Sequence, residues 1–134
     1  MTRQENWHYI ESQEDVDFLL KQTYSFHDTV LKDLKYVSGS YVDDNKAMKC
    51  VDTEKRVTMC FDSQLCRSIE LVFEGVVALN LRPHPDNCFS GIFCASVLLN
   101  NASMFFCDTK LDSADKSYEG TWIESHSLRW RFYD

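Results

Sequence analysis

Glycine and proline are scarce, with four and two residues in a chain of 134. So few glycines leave little material for loops that cradle phosphate on bare backbone N–H groups. No G-x-G-x-x-G, G-x-x-x-x-G-K or G-x-S-x-G pattern occurs, which removes the dinucleotide, P-loop and serine-hydrolase readings. Basic residues are also in deficit: 14 Lys and Arg stand against 21 Asp and Glu, a formal charge of −7. Without a basic stripe there is nothing to neutralise a row of phosphates, so neither nucleic acid nor an anionic membrane surface is an expected partner. Histidines number four, at positions 8, 27, 84 and 126. None has a second histidine or a carboxylate at metal-ligand spacing, so no metal and no cofactor is expected. Every uninterrupted apolar run falls far short of the ~20 residues that a membrane-spanning helix needs.

Cysteine is present without a pattern. Six residues, at 50, 60, 66, 88, 94 and 107, include no C-x-x-C pair and no repeated spacing. Cys60, Cys94 and Cys107 sit inside apolar runs, where a free thiol behaves as a small hydrophobe. The opening residues contain no apolar signal segment, and the expectation is reduced cysteines in a cytoplasmic protein.

What the chain has is aromatic and β-branched material: nine Phe, six Tyr and three Trp. Aromatic side chains suit a half-buried pleated surface. The segment ESQEDVDFLLKQTY predicts one amphipathic helix, with Ser12 as N-cap, Asp15 at the capping-box position, and Val16, Leu19 and Leu20 on one face. From Thr29 onward, alternation dominates. In TVLKDLKYVSGSYV, Val30, Leu34 and Tyr36 point one way, with Lys32 interrupting, and Leu31, Asp33, Lys35 and Val37 point the other. KRVTMCFDS turns Val57, Met59 and Phe61 one way, and SIELVFEG does the same with Ile69, Leu71 and Phe73. Gly75 marks a bulge or turn, after which Val77, Leu79 and Leu81 resume. FSGIFCASVLLNN, apolar on both faces, predicts a central strand covered on both sides. TWIESHSLRWRFY closes the chain, with Trp122, Leu128, Trp130 and Phe132 at one parity. Connections this short favour antiparallel pairing. The predicted fold is α+β: a single domain, 1–134, of about seven or eight mostly antiparallel strands in a curled or barrel-like sheet, with one N-terminal helix.

Three places carry candidate chemistry. His27 and Asp28 stand where the helical pattern gives way to a strand; the expectation is a buried structural corner, with both side chains hydrogen-bonded to backbone. RPHPDNC places His84, Asp86 and Asn87 on a stiff loop before Cys88, which would be a nucleophile only with a paired base. At the C-terminus, Trp122, Arg129, Trp130 and Arg131 offer the residue types that anchor partners or line a pocket for an anion. No catalytic set emerges.

The stretches WHYIESQEDVDFLL, FHDTVLKDLKYVSGSYVDDNKAM, IELVFEGVVALNL and TWIESHSLRWRF resemble a family of small uncharacterised bacterial proteins. The shared features are a Trp-x-x-Ile opening, a Phe-His-Asp-Ser/Thr corner, an Ile-Glu-Leu-x-Phe-x-Gly strand and a terminal Leu-x-Trp-Arg. That family brings no established activity, so the resemblance transfers no catalytic residue. The Phe26-His27-Asp28 corner is also similar to one in some immunity proteins of bacterial toxin systems, which act by binding and need no active site. The expected function is a non-enzymatic module that binds a basic protein or toxin through sites drawn from His27, Asp28, Trp122, Arg129, Trp130 and Arg131. Two alternatives are a small-ligand binder or enzyme with a pocket in the curved sheet, and a homo-oligomer built through an exposed strand edge.

Overall fold

Residues 6–51, 54–86 and 89–133 are described by the computed structural model. Among them are one α-helix and nine strands in two sheets. α1 spans Gln13–Gln22. The strands are β1 (His8–Tyr9), β2 (Thr29–Val37), β3 (Tyr41–Val42), β4 (Met48–Lys49), β5 (Arg56–Ser63), β6 (Ser68–Asn80), β7 (Ser96–Leu99), β8 (Met104–Cys107) and β9 (Trp122–Tyr133). All pairings are antiparallel. The main sheet runs β2-β5-β6-β9-β8-β7, with β1 added beside β9; β3 and β4 form a separate hairpin. The sheet curls but does not close. Its two ends meet through an isolated bridge between Thr29 and Ile92.

The helix starts as its sequence requires. The Ser12 side chain accepts from the Asp15 N–H, while the Asp15 carboxylate accepts from Glu11 N at 2.8 Å. Val16 and Leu19 are buried against the concave face of the sheet. Val57, Met59 and Phe61 from β5, Ile69, Leu71 and Phe73 from β6, and Leu128 and Trp130 from β9 complete that core. Fully burying one such side chain contributes about 1.5–3 kcal/mol, so this face supplies most of the driving force for folding.

Where the structure departs from simple alternation, an extra or twisted residue is the cause. Lys32 is bulged out of β2, between the pairs Leu31–Phe61 and Asp33–Cys60. Leu31 and Leu34 therefore both pack on the core, while Val30 turns to solvent. In β6, Gly75 has φ +66, and a Cβ there would come within 2.8 Å of the His126 ring. The strand continues through this point, and the register shifts by one residue between Val76 and Ala78. Val77 and Leu81 are exposed as a result, and Leu79 alone of the expected trio packs on the core. The same twist flips β9. Trp130 faces the main core, but Trp122 faces the opposite side, in a second cluster with Phe105 and Cys107. The predicted central strand of 89–99 shortens to β7 and lies at an edge of the sheet. Its two apolar faces have separate covers: Val97 packs in the main core and Leu98 against the second cluster.

The convex face is polar and cross-linked. Arg129 Nη1 reaches Glu74 Oε1 at 2.5 Å and Arg131 Nε reaches Glu70 Oε1 at 2.7 Å. The Trp7 ring lies over both guanidinium groups, at 4.8 and 4.3 Å. Cations held over an indole face gain electrostatic attraction beyond packing.

Trp130 stacks on the His8 ring at 4.5 Å and meets Phe132 edge-on. Its indole N–H is buried without an acceptor among the described residues. An unpaired buried donor carries a desolvation cost that a phenyl ring would not. Trp130→Phe is therefore expected to hold stability within about 1 kcal/mol, the gain from removing the orphan donor offsetting the lost ring area. Trp130→Ala should cost about 3–5 kcal/mol. Urea denaturation of the two variants separates these outcomes.

Candidate functional site

Between α1 and β2 the chain turns through residues that rarely adopt the required backbone. Tyr24, Ser25, Phe26 and Asp28 all have positive φ, from 54 to 62. For residues with a Cβ, this left-handed region costs roughly 1–2 kcal/mol each. Tertiary bonds hold it in place. Phe26 N donates to Thr23 O and His27 N to Tyr24 O, both at 2.9 Å. Ala95 N donates to Ser25 O, and Asp28 N to Ile92 O, again at 2.9 Å. The turn drives the fully buried Phe26 ring into edge contacts with Phe61 and Phe106.

His27 and Asp28 emerge on the outside of this turn. Their side chains are 43% and 36% exposed, so the expected burial is not observed: the left-handed turn sends Phe26 inward and its two followers out. The backbone bond expected of His27 is present, Nδ1 donating to Phe93 O at 2.8 Å. The other ring nitrogen, Nε2, lies 3.4 Å from Asp28 Oδ2. In Asp28 the main chain makes the corner's bonds, through its N–H and through a carbonyl that accepts from Gln64 N at 3.0 Å.

The His27 ring also packs edge-on against Phe93, 5.2 Å away. Phe93 is 82% exposed and Phe89 78%. The Phe89 ring lies directly over Gly91, where any Cβ would collide with it. Phe93 thus projects from a segment, 92–95, tied to the corner by four hydrogen bonds: those of Asp28, Ala95 and His27 already given, and Ile92 N to Thr29 O at 2.7 Å; the exposed Phe89 ring precedes that segment.

Beside this projection the open edge of the sheet encloses a cavity of about 330 Å³. Its floor is apolar: Met59, Phe61 and Phe106. Leu31, Leu34 and Ile92 wall it, and Lys32, Arg82 and His84 stand around it. The sequence reading missed Leu34, Arg82 and Lys32 as a group. A signal existed in Lys32, whose interruption of the strand alternation marks the bulge at the cavity's edge.

The other predicted site residues are dispersed. Trp130 is buried under α1, Trp122 lies in the second cluster with its Nε1 donating to Tyr118 O at 3.1 Å, and Arg129 and Arg131 are on the convex face. Neither these four nor His27 and Asp28 line the cavity. The physical reason is the twist at Gly75, which sends Trp122 and Trp130 to opposite sides of one strand. Asn87 and Cys88 lie outside the described residues.

Among the described residues, no group of three or more His, Cys, Asp or Glu is placed to hold a metal ion. No helix there is long and apolar enough to cross a membrane. Cys50, Cys60, Cys66, Cys94 and Cys107 are free thiols. Burial pushes Cys60 and Cys107 upward, away from thiolate, the environment of an inert cysteine. Glu124 is held below the usual carboxylate range by hydrogen bonds from Lys116 and Ser103. Burial, reinforced by the hydrogen bond to Asp108, raises the Tyr118 phenol; burial and the Cys60 contact raise Tyr133. Comparison with protein-family models, with curated proteins and with solved structures found no match to this chain.

Two outcomes follow from the turn and from these phenols. Ser25 has φ 54 and ψ 30, a conformation glycine adopts without the Cβ penalty. Ser25→Gly should raise stability by about 0.5–1 kcal/mol, and Ser25→Val should lower it by more than that; thermal melts of both check the assignment. For Tyr118 and Tyr133 the folded state retains protons that the unfolded chain releases near the ordinary value of 10.0. Their contribution to stability is therefore complete below that pH and is lost as pH rises through the higher folded value. A phenolate absorbance titration should show a late fraction of the six tyrosines ionising only as the near-UV circular dichroism collapses.

Proposed function

We propose that the protein is a cytoplasmic, non-enzymatic binding module that docks on a basic protein through Phe89, Phe93 and the His27–Asp28 corner. The observation that carries this reading is the pair of exposed rings, Phe93 on a pinned segment and Phe89 preceding it. Aromatic side chains are enriched at the centres of protein interfaces, and rings already held in place lose little conformational entropy on binding. Charge supports the choice of partner: a net −7 steers a cationic surface toward the protein and speeds encounter. Asp28, next to the His27 ring that packs on Phe93, adds acid locally. Free thiols suit a reducing compartment. The likeness of the Phe26-His27-Asp28 corner to immunity proteins suggests a toxin as the form such a partner takes, and small bacterial proteins as the chain's relatives.

Self-association through a sheet edge has less support. β2 is the long edge strand, and it carries the Lys32 bulge together with Asp33 and Lys35. A bulge and charged side chains are devices that blunt an edge against further pairing.

The test is affinity capture from the native host by the intact protein and by a Phe89→Ser/Phe93→Ser variant. Both rings are exposed, so the variant should fold with an unchanged circular dichroism spectrum. Recovery of a basic protein by the parent, with binding at least tenfold weaker in the variant and weakening as salt rises, is the expected result. Recovery of the same protein equally well by both would refute the assignment of the surface, and recovery of none would refute the partner reading itself.

A further inference from the structure

The open side of the curled sheet is not filled by protein. β2 is bridged to Ile92 at Thr29, and the 330 Å³ cavity is lined by β2 residues together with Arg82, Pro83, His84, Ser90 and Ile92. Cavities in the mouths of barrel-like sheets are common ligand sites, and this one is at the small end of the size range of such pockets. Its floor offers no hydrogen bond: Met59, Phe61 and Phe106 present only carbon and sulfur side chains. Water in such a space has few polar partners, and an apolar molecule would displace it favourably.

The rim has the opposite character. On an acidic protein, Lys32, Arg82 and His84 converge on one opening. Arg82 Nη1 donates to the Glu119 carbonyl at 3.2 Å, while the carboxylate pairs of both permanent cations are long. Lys32 Nζ is 3.9 Å from Asp62, both about half exposed, and Arg82 Nη1 is 3.8 Å from Glu119 Oε1, on a carboxylate that is 90% exposed. Exposed pairs of this kind contribute little and exchange readily. Two acidic residues also line the cavity, Asp33 and Asp108. Asp33 is the ladder partner of Cys60, which alternates with the inward Met59 and Phe61. Asp108 accepts a hydrogen bond from the Tyr118 hydroxyl. The mouth thus holds charge of both signs, and its side-chain N–H donors are those of Lys32, Arg82 and His84.

We propose that this cavity binds a small amphipathic monocarboxylate, with its apolar body on Met59, Phe61 and Phe106 and its carboxylate at the mouth between Arg82 and Lys32. A guanidinium matches a carboxylate by two parallel hydrogen bonds, which gives Arg82 the larger share of head-group recognition. His84 stands on the same rim, and Pro83 and Pro85 on either side of it restrict the backbone that presents it. The chain length is set by the floor: a medium-length alkyl tail fills it and a long one does not fit. This site is independent of the partner surface, which uses Phe89 and Phe93 on the solvent side of the same segment.

Calorimetric titration with decanoate, decanol and decyltrimethylammonium provides the test. Decanoate should bind, decanol should bind at least tenfold more weakly, and the cation should show no saturable heat. Arg82→Gln and Lys32→Gln, both at exposed positions, should weaken decanoate at least fivefold and leave decanol unchanged. Leu34→Trp, which fills the cavity from its wall, should abolish both. Should that variant fail to fold, a series from butanoate to hexadecanoate replaces it, with affinity expected to peak at intermediate length. Equal binding of decanoate and decanol, indifference of decanoate to Arg82→Gln, affinity that climbs steadily with chain length, or no binding by the parent would each overturn the assignment. Phe89→Ser/Phe93→Ser should retain decanoate binding, which separates failure here from failure of the partner reading.

Discussion

Phe26 is the residue on which the rest of the structure converges. Its ring is fully buried and touches Phe61 of β5 and Phe106 of β8, strands separated in the sheet by β6 and β9. Bringing those strands to one aromatic cluster curls the sheet. To reach that position Phe26 must leave the helix immediately and point backward, and a left-handed turn is what achieves it. The strain of four positive-φ residues is offset by burial of a large ring and by hydrogen bonds to a distant segment. Local backbone cost and long-range packing are thus coupled: neither the turn without the Phe26 pocket nor the pocket without the turn would be stable.

That coupling accounts for both sides of the candidate site. The turn's bonds to Ser25 and Asp28 anchor the 92–95 segment, and Thr29–Ile92 is where the two ends of the sheet meet. Among the described residues no further bridge joins them: the Lys32 bulge interrupts β2, and Pro83 and Pro85 cannot donate to a ladder. An unclosed apolar interior is the consequence. Outside the anchor, successive residues diverge: Ile92 is buried and lines the cavity, while Phe93 turns to solvent and receives the His27 ring. A single clasp therefore creates a recess on one side and an aromatic projection on the other.

The legible parts of this architecture were those governed by neighbours in sequence. The Ser12 cap, the Val16 and Leu19 face, and the alternation of β5 and the first half of β6 all follow from local periodicity, and so does the class of fold. What alternation could not convey was where a single residue would slip out of phase. Lys32 looks like a polar interruption in an otherwise regular strand, and Gly75 like a bulge or a turn; as a bulge and a twist they decide which way Leu31, Val77 and Trp122 face. The 89–95 run was harder still. Phe89, Ile92, Phe93 and Ala95 are all apolar, yet two are buried and two are exposed; hydrogen bonds with Asp28, Thr29 and Ser25 hold Ile92 and Ala95 inward. The cavity had no local signature, being a failure of contact between segments some fifty residues apart.

The convex face answers a separate physical problem. A curled sheet leaves its outer side in water, and the ladder of Glu70–Arg131 and Glu74–Arg129 under the Trp7 ring covers it without a second apolar layer. Here the four charges are spent on one another, so this Arg-Trp-Arg strand is scaffold, and its neutral, crowded surface has little left to offer an anion. The cations at the cavity mouth are held less closely: the carboxylate pairs of Lys32 and Arg82 are long and solvent-facing, and Arg82 Nη1 also donates to the Glu119 carbonyl. Recognition fits the place where cation pairs are long and the interior is open, and architecture the place where charge is matched at close range.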